Sequence, residues 1–250
     1  MSALRIERGG GVLRVTMARP ERRNAFDASV IAELHEAFAD VGDARCVVLA
    51  GDGPSFSAGA DVEWQRASIE LGYDENVEDY RRLYRMLESI WQCPVPVVAR
   101  IQGHALGGGA GLTACVDIGI ASEDAVFGFS EVRLGIMPAV ISPMVLAKIG
   151  GVHARRYFLT GERFDAAAAL RIGLVQEVAP DLDAAVGRVV DAILASGPIA
   201  VREAKRLVLE PGDEDELLAR ASAQRVSDEG QDGLRAFLEK RPPAWRATDR

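Results

Sequence analysis

The stretch Pro96–Cys115, PVVARIQGHALGGGAGLTAC, decides how this chain of 250 residues folds. Its first part, Pro96–Ile101, is a short apolar run of the kind found in strands buried on both faces. A loop of small residues then leads into a predicted helix over Gly107–Cys115, in spite of its glycines. Glycine lacks a Cβ atom, so the backbone N–H groups of this loop are open to close approach. The stretch therefore predicts a strand, an accessible backbone loop and a helix in succession.

A second stretch repeats this arrangement earlier in the chain. The apolar run Cys46–Ala50 predicts a buried strand, and the small residues of Phe56–Asp61, FSAGAD, follow it. Two such loops from neighbouring strands could hold one substrate oxygen between two backbone N–H donors, as in an oxyanion hole. Taken alone, each loop also has the composition of an ordinary tight turn between a strand and a helix.

A single carboxylate stands in an apolar setting further along the chain. Glu131 lies within Phe129–Gly135, FSEVRLG, where burial would raise its pKa and suit it to acid–base chemistry. The alternative is a glutamate that is paired with a cation or faces solvent, which is the common situation for this residue type. The residues of this segment alone leave both interpretations open.

The rest of the chain alternates between predicted strands and helices. Strands are predicted at Leu4–Arg8 and Val12–Met17, a helix at Ala28–Val41, a mobile loop at Ser68–Glu75 and a helix from Leu83 to Trp91. After about residue 141 the pattern is mostly helical. These features predict an α/β fold with a C-terminal helical extension. We place a boundary between a core over residues 1–195 and a helical region over residues 196–250.

The composition argues against several classes of function. A net charge of −8 does not suit a protein that binds nucleic acid or a membrane surface, since both favour a basic face. The three cysteines, Cys46, Cys93 and Cys115, are scattered among apolar residues and are expected to be reduced thiols in a cytoplasmic protein. No spacing of histidine, cysteine or acidic residues indicates a metal site.

The segments around both loops and Glu131 are accompanied by further short matches, at Arg19-Pro20, Asn24-Ala25, Leu159–Gly161, Gly173–Val175 and Phe237–Arg241. In this order and spacing, they resemble the enoyl-CoA hydratase/isomerase (crotonase) family over essentially the whole chain. The resemblance implies a spiral of ββα turns with C-terminal helices, assembled as homotrimers that often pair into hexamers. It also implies acyl-coenzyme A thioesters as substrates, with coenzyme A as part of the substrate and no permanently bound cofactor.

The same resemblance implies roles for individual residues. The oxyanion-hole amides would belong to Ala60 and Gly108, and Glu131 would transfer the proton. Negative charge develops on the thioester oxygen during the reaction, so two preorganised donors would lower the barrier. The residues that match coenzyme A contacts are Arg22, Arg23, Ala58, Asp61 and Lys240. The C-terminal lysine among them would reach the 3′-phosphate, in some members of the family from a neighbouring subunit.

One departure from the family pattern affects the predicted reaction. Hydratases of the best-known type carry two catalytic glutamates, and one of them falls where this chain has Gly111. Glycine neither activates water nor gives a proton. The isomerase branch also lacks this glutamate and moves a proton between two carbons with one carboxylate. Double-bond isomerisation by Glu131 alone is therefore an alternative to hydration, and a catalytically weak acyl-CoA-binding protein is a third.

A finer resemblance favours hydration. Phe129–Gly135 and the following Pro138–Pro143 look like bacterial methylglutaconyl-CoA hydratase-like members, which also tend to have glycine at the position of Gly111. In this interpretation, Gly111 and Ala139 line the acyl pocket and leave room for a branched or carboxylated acyl group. Glu131 would take a proton from water and deliver it to the α-carbon in one syn addition. The sequence thus predicts an enoyl-CoA hydratase.

Overall fold

The computed structural model describes residues 2–246, which form two β-sheets and ten α-helices. The strands are β1 (Leu4–Gly9), β2 (Val12–Met17), β3 (Cys46–Gly51), β4 (Val97–Ile101), β5 (His104–Leu106), β6 (Ile118–Ser122), β7 (Val126–Gly128), β8 (Arg163–Asp165) and β9 (Glu177–Ala179). The helices are α1 (Ala28–Ala39), α2 (Val62–Ser68), α3 (Tyr73–Trp91), α4 (Gly108–Cys115), α5 (Ser142–Thr160), α6 (Ala166–Arg171), α7 (Leu182–Leu194), α8 (Pro198–Leu209), α9 (Glu214–Val226) and α10 (Asp228–Glu239).

The two sheets are built by a chain that visits each of them in turn. The larger sheet has the order β1-β2-β3-β4-β6-β9 and is parallel except for the β1–β2 hairpin. The smaller sheet has the order β5-β7-β8. Because β5 follows β4 and β7 follows β6 at once, each turn gives one strand to each sheet. The structure therefore has the α/β fold and the spiral of ββα turns that the sequence predicted.

Strand β3 is buried on both faces, as its apolar run predicted. Successive side chains of a strand point to opposite faces. Val47 and Leu49 belong to the main hydrophobic core, whereas Cys46 and Val48 belong to a second core that includes side chains of α7. With both faces covered, the carboxyl end of β3 is held in place, and the loop that follows it starts from a rigid support.

The predicted mobile loop over Ser68–Glu75 is shorter in the structure, because α2 runs into it and α3 begins within it. The Glu75 carboxylate accepts a hydrogen bond from the Gly72 N–H at 2.8 Å, and the Asn76 amide donates to the Leu71 carbonyl at 3.0 Å. The polar residues of this stretch thus cap the start of a helix, a role that their composition does not distinguish from an open loop.

The C-terminal helices begin after a bend of 107° between α7 and α8. Lys205 of α8 ties them to the sheet, since its Nζ lies 2.7 Å from Asp117 Oδ2 and donates to the Val95 carbonyl at 3.1 Å. The boundary predicted between residues 195 and 196 falls in this bend, and the division into two units stays a prediction. Within residues 2–246 no single helix is long and apolar enough to cross a membrane, whereas α7 and α8 taken together pass that test by length and composition.

A second lysine, on α5, is partly buried and donates to backbone carbonyls. Lys148 on α5 donates from Nζ to the carbonyls of Val116, at 2.6 Å, and Asp117, at 3.0 Å. Burial lowers the pKa of Lys148 from 10.5 to about 8, and the nearby Asp117 carboxylate offsets part of that effect. Between these two values the unfolded chain holds a proton on this residue that the folded protein has released.

We expect this lysine to make the protein more stable as the pH rises from 8 towards 10. The free energy of unfolding increases with pH wherever the unfolded state binds more protons, by up to about 3 kcal/mol for a shift of this size. Thermal melts across this range should therefore show a smaller rise, or a steeper fall, for Lys148→Met than for the wild type. The cysteines titrate in both proteins, so they cancel in the comparison. Parallel melting curves would contradict the expectation.

Candidate active site

The loops that follow β3 and β4 lie side by side in the structure. The Ser57 N–H donates to the His104 carbonyl at 3.0 Å, and the Leu106 N–H donates to the Ser57 carbonyl at 3.1 Å. On the other side, the Phe26 N–H donates to the Gly59 carbonyl at 2.8 Å. These bonds extend the smaller sheet across both loops, so the two segments singled out in the sequence meet at one place.

Glycine is required where the loops touch. A Cβ atom at Gly109 would overlap the carbonyl oxygen of Ser57, and one at Gly108 would overlap the ring of Phe26. At Gly59, where φ is +86°, a Cβ atom would lie 2.5 Å from the Leu106 carbonyl oxygen. At Gly109 and Gly59 no rotamer can relieve the overlap, because the obstacle is a backbone oxygen and the Cβ position follows from the backbone.

Two backbone N–H groups at this contact have no acceptor among residues 2–246. Gly108 is the first residue of α4, and N–H groups in the first turn of a helix have no acceptor within it. In the described part of the chain, the N–H of Ala60 also forms no hydrogen bond with another protein group. The positive end of α4 adds a potential that favours negative charge near Gly108.

Glu131 lies next to these amides, at the start of a short 3₁₀ turn. A Cβ atom at Gly107 would be 3.7 Å from Glu131 Oε1, which places the carboxyl beside the loop that follows β5. Among residues 2–246, the buried Oε2 atom of Glu131 has no hydrogen-bond partner. Burial raises the pKa of this carboxyl, and its own backbone N–H offsets only part of the effect. The side chain is therefore a free acid–base group and not one member of an ion pair.

Both loops and Glu131 open onto one cleft of about 490 Å³. Backbone atoms of Ala58, Ala60 and Gly108 line it together with the Glu131 side chain, so four of the predicted site residues come together here. Its apolar lining includes Phe26, Val62, Leu83, Met137, Val140 and Ile141. Among residues 2–246, no three histidine, cysteine or acidic side chains are grouped so as to hold a metal ion.

The structure shows a structural role for Asp61, and its predicted contact with coenzyme A stays a prediction. Its carboxylate is only 4% exposed, caps α2 through the Glu63 N–H at 2.8 Å, and lies 2.9 Å from Arg22 Nη1. Burial raises the pKa of Asp61, but Arg22 and the α2 amides lower it further, to below its ordinary value. A carboxylate paired in this way orients Arg22, whose half-exposed guanidinium remains available to an anion.

Gly111 and Ala139 are placed differently from the prediction, because neither lines the cleft. A Cβ atom at Gly111 would lie 2.5 Å from Cγ2 of Ile141, whose side chain lines the cleft and covers this turn of α4. Gly111 is buried behind that side chain, and Ala139 is exposed to solvent. The space that a glutamate would occupy in a two-glutamate hydratase is thus filled by isoleucine, which leaves an apolar surface there.

The remaining predicted residues lie outside the cleft. Arg23 is exposed, and its backbone is in the left-handed region, with φ of +53°. Its carbonyl accepts a hydrogen bond from the Ala58 N–H at 2.9 Å. Lys240 ends α10, and the chain just after it contacts the amino end of β3 through Trp245 and Arg45. Lys240 is not among the residues that line the cleft of its own chain.

A polar face of α3 also lines the cleft, and it was not predicted from the sequence. Asn76, Asp79 and Tyr80 belong to this face, together with Leu83 from the predicted amphipathic helix. The signal was present, since these residues precede Leu83 by seven, four and three positions, the spacing of a helical stripe. This spacing is hard to recognise in the sequence, because the stripe is polar before Leu83 and apolar from Leu83 onwards.

Comparison with known proteins identifies the family to which the chain is similar. Residues 7–248 match the family model described as enoyl-CoA hydratase/isomerase. The chain is 32% identical to the cyclohexa-1,5-dienecarbonyl-CoA hydratase of Thauera aromatica, over 96% of this chain and 95% of that protein. It is 31% identical to the enoyl-CoA isomerase/hydratase of Mycosarcoma maydis, over 94% and 92%.

A solved structure agrees with these relatives. The crystal structure of an enoyl-CoA hydratase from Shewanella pealeana superposes with a TM-score of 0.91 at 39% identity, covering 97% of this chain and 96% of that one. The chain belongs to the enoyl-CoA hydratase/isomerase family and has the crotonase fold. The resemblance stated from the sequence is confirmed, and the protein is an enzyme of acyl-CoA metabolism.

The contact between the loops yields a stability prediction. We expect Gly109→Ala to destabilise the protein by at least about 1–3 kcal/mol, because the added methyl group overlaps a backbone oxygen that cannot turn away. Gly187→Ala is the matched control: it lies in α7 with open space around its Cβ position and should stabilise by about 0.5–1 kcal/mol. Chemical denaturation measures both. Equal effects of the two substitutions would mean that the loops are not in contact.

Proposed function

We propose that the protein is an enoyl-CoA hydratase that adds water to a 2-enoyl-CoA. The observation that supports this most directly is the free, half-buried carboxyl of Glu131 beside the unpartnered N–H groups of Ala60 and Gly108. A group of this kind transfers protons at neutral pH, and two such donors suit an oxygen on which negative charge develops.

In the proposed mechanism, the thioester oxygen accepts hydrogen bonds from the Ala60 and Gly108 N–H groups. The enolate formed during addition is stabilised by both, and the loss of one such donor typically costs about 2.7–4 kcal/mol of barrier. Glu131 takes a proton from the attacking water and returns it to the α-carbon on the same face. One carboxyl is enough for this syn addition, since it serves as base and then as acid.

A second candidate is isomerisation of the acyl double bond. It is favoured by the absence of a carboxylate on α4, where Ile141 fills the space next to Gly111. In that reaction Glu131 would remove a proton from one carbon and return it to another, without water. The Mycosarcoma relative is named for both reactions, whereas the Thauera relative is named as a hydratase alone.

The acyl group is proposed to be branched and uncharged. The methylglutaconyl-type group suggested by the resemblance carries a carboxylate, which would need a free cation in the cleft. Among the described residues that line the cleft, Arg66 is the one cation, and it already pairs with Glu63 at 2.9 Å. An uncharged branched group fits the apolar side chains of the lining without this requirement.

Coenzyme A binding is proposed to involve two subunits of a homotrimer, alone or paired as a hexamer. Arg22 and Arg23 would approach the phosphates from the chain that holds the acyl group, and Lys240 would come from a neighbour, since it does not line its own cleft. The C-terminal helices support this assembly, because they expose large apolar side chains. These include Val208, Val226, Phe237 and Leu238, with exposed fractions of 81%, 72%, 81% and 77%.

Hydration and the role of Glu131 are tested together. Incubated with crotonyl-CoA and branched 2-enoyl-CoAs, the wild type should yield products heavier by one water, as measured by mass spectrometry. Glu131→Gln should lower the rate about 10²–10⁴-fold and leave acyl-CoA binding nearly unchanged, because the amide keeps the shape but transfers no proton. Glu88→Gln, an exposed site on α3, is the control. A shifted double bond without added mass would favour the isomerase, and full activity of Glu131→Gln would exclude Glu131 from the mechanism.

Assembly is tested by charging the exposed apolar surface. We expect sedimentation velocity to show a trimer or hexamer for the wild type and smaller species for Phe237→Lys. Burial of one phenylalanine contributes about 1.5–3 kcal/mol, and a lysine there would be buried without a partner. Gln92→Lys adds the same charge at an exposed position just after α3, outside the C-terminal helices, and should leave the assembly intact. A monomeric wild type would contradict the proposed trimer.

A further inference from the structure

Helix α3 presents a polar face where it lines the cleft. Asn76, Asp79 and Tyr80 share this face with Leu83. Further along the helix the same stripe is apolar and enters the core at Leu87. The polar residues thus lie on the part of the helix that faces the cleft. The far end of an acyl chain in the cleft would contact this part of α3.

Asp79 retains hydrogen-bonding capacity in this position. It is partly buried, and its neighbours are the Trp64 indole and the Arg82 guanidinium. Burial raises its pKa, and these two neighbours compensate in part. An ionised carboxyl has about four acceptor sites, of which the single Trp64 N–H can occupy one. Asp79 therefore offers acceptors to a molecule in the cleft.

Asn76, one turn earlier, offers an acceptor as well. Its Nδ2 atom donates to the carbonyls of Leu71, at 3.0 Å, and Gly72, at 3.1 Å. These bonds hold the connection between α2 and α3 and use the donor side of the amide. The carbonyl oxygen of the amide remains as an acceptor. The two side chains together are complementary to a ligand that donates a hydrogen bond.

The charges of the residues that line the cleft favour one kind of group on the acyl chain over others. The cleft already contains two carboxyls, Asp79 and Glu131, and its cation Arg66 is paired with Glu63. A carboxylate on the acyl chain would be repelled by Asp79, and Arg82, the cation next to Asp79, does not line the cleft. A methyl group would leave the acceptors of Asp79 without a partner. A hydroxyl group avoids both costs, because it is uncharged and donates a proton.

We propose that Asp79 and Asn76 form a subsite that selects acyl groups bearing a hydroxyl group away from the thioester over hydrocarbon and carboxylated ones. The hydroxyl group donates to the Asp79 carboxylate, and the apolar side chains of Val62, Leu83 and Met137 surround the rest of the chain. This inference rests on the proposed function, since it takes the cleft to hold the acyl part of a coenzyme A thioester.

The test measures binding of saturated acyl-CoAs, which cannot be hydrated. Straight-chain acyl-CoAs of several lengths, each ending in a methyl, hydroxyl or carboxylate group, are titrated into the full-length protein by calorimetry. Because no reaction takes place, the binding ratios do not depend on which reaction the enzyme catalyses. Turnover of 2-enoyl-CoAs is measured separately, so failure of the subsite and failure of the hydratase proposal are distinguishable.

In the wild type, hydroxyl-ended acyl-CoA of the fitting length should bind about tenfold more tightly than its methyl-ended counterpart, the effect of one hydrogen bond to a charged group. Asp79→Leu should abolish this ratio, and Asp79→Asn should weaken the discrimination against the carboxylate end. The matched variants Glu88→Leu and Glu88→Gln remove the same charge from an exposed position of α3 and should keep the wild-type ratios. Thermal melts confirm that each variant is folded.

Three results would overturn the proposal. The first is equal affinity for methyl and hydroxyl ends at every length. The second is that the wild type binds the carboxylate-ended acyl-CoA more tightly than the hydroxyl-ended one, which would indicate recognition by Arg66. The third is an unchanged hydroxyl-to-methyl ratio in both folded Asp79 variants. If the expected ratios are found while no 2-enoyl-CoA is hydrated, the subsite stands and the reaction must be reassigned.

Discussion

The close approach of two backbone loops is the constraint on which the site depends. Where Gly109 meets Ser57 and Gly59 meets Leu106, no space remains for a Cβ atom. The parallel strands β3 and β4 bring the loops to the same edge, and the hydrogen bonds of the smaller sheet hold them together. This backbone contact sets the positions of the Ala60 and Gly108 N–H groups, so the donors are preorganised by packing and not by side-chain rotamers.

Two carboxyls near this contact, the buried Asp61 and the half-buried Glu131, have pKa values shifted in opposite directions by their surroundings. Asp61 is buried beside Arg22 and helix amides, which lower its pKa and keep it charged. Glu131 is half-buried, desolvation raises its pKa, and its buried Oε2 atom has no partner among the described residues. The first arrangement stabilises an ion pair. The second is costly for folding and useful for proton transfer, which is the usual sign of a residue kept for its reaction.

Sequence predicted the parts of this structure that local patterns determine. The apolar runs of β3 and β4, the small-residue loops after them and Glu131 were all identifiable, because each leaves its own signature within a few residues. The strands β5, β8 and β9 were missed, because each has only three residues and none of them lies in a continuous apolar run. The role of Gly111 was misplaced for a different reason: Ile141, thirty positions further along the chain, fills the space beside it, and only tertiary packing reveals that contact.

The two ends of the cleft are consequently under different constraints. At the reaction end, the donors are backbone N–H groups, and substitution of Gly108 or Gly109 disturbs the packing before it alters the chemistry. Along α3, the cleft is lined by the side chains of Asn76, Asp79 and Tyr80, which can change without moving the helix, because Leu83 and the following apolar stripe anchor it in the core. If the proposed roles hold, one fold can keep the backbone donors at the reaction end while the side chains of the α3 face change with the acyl group.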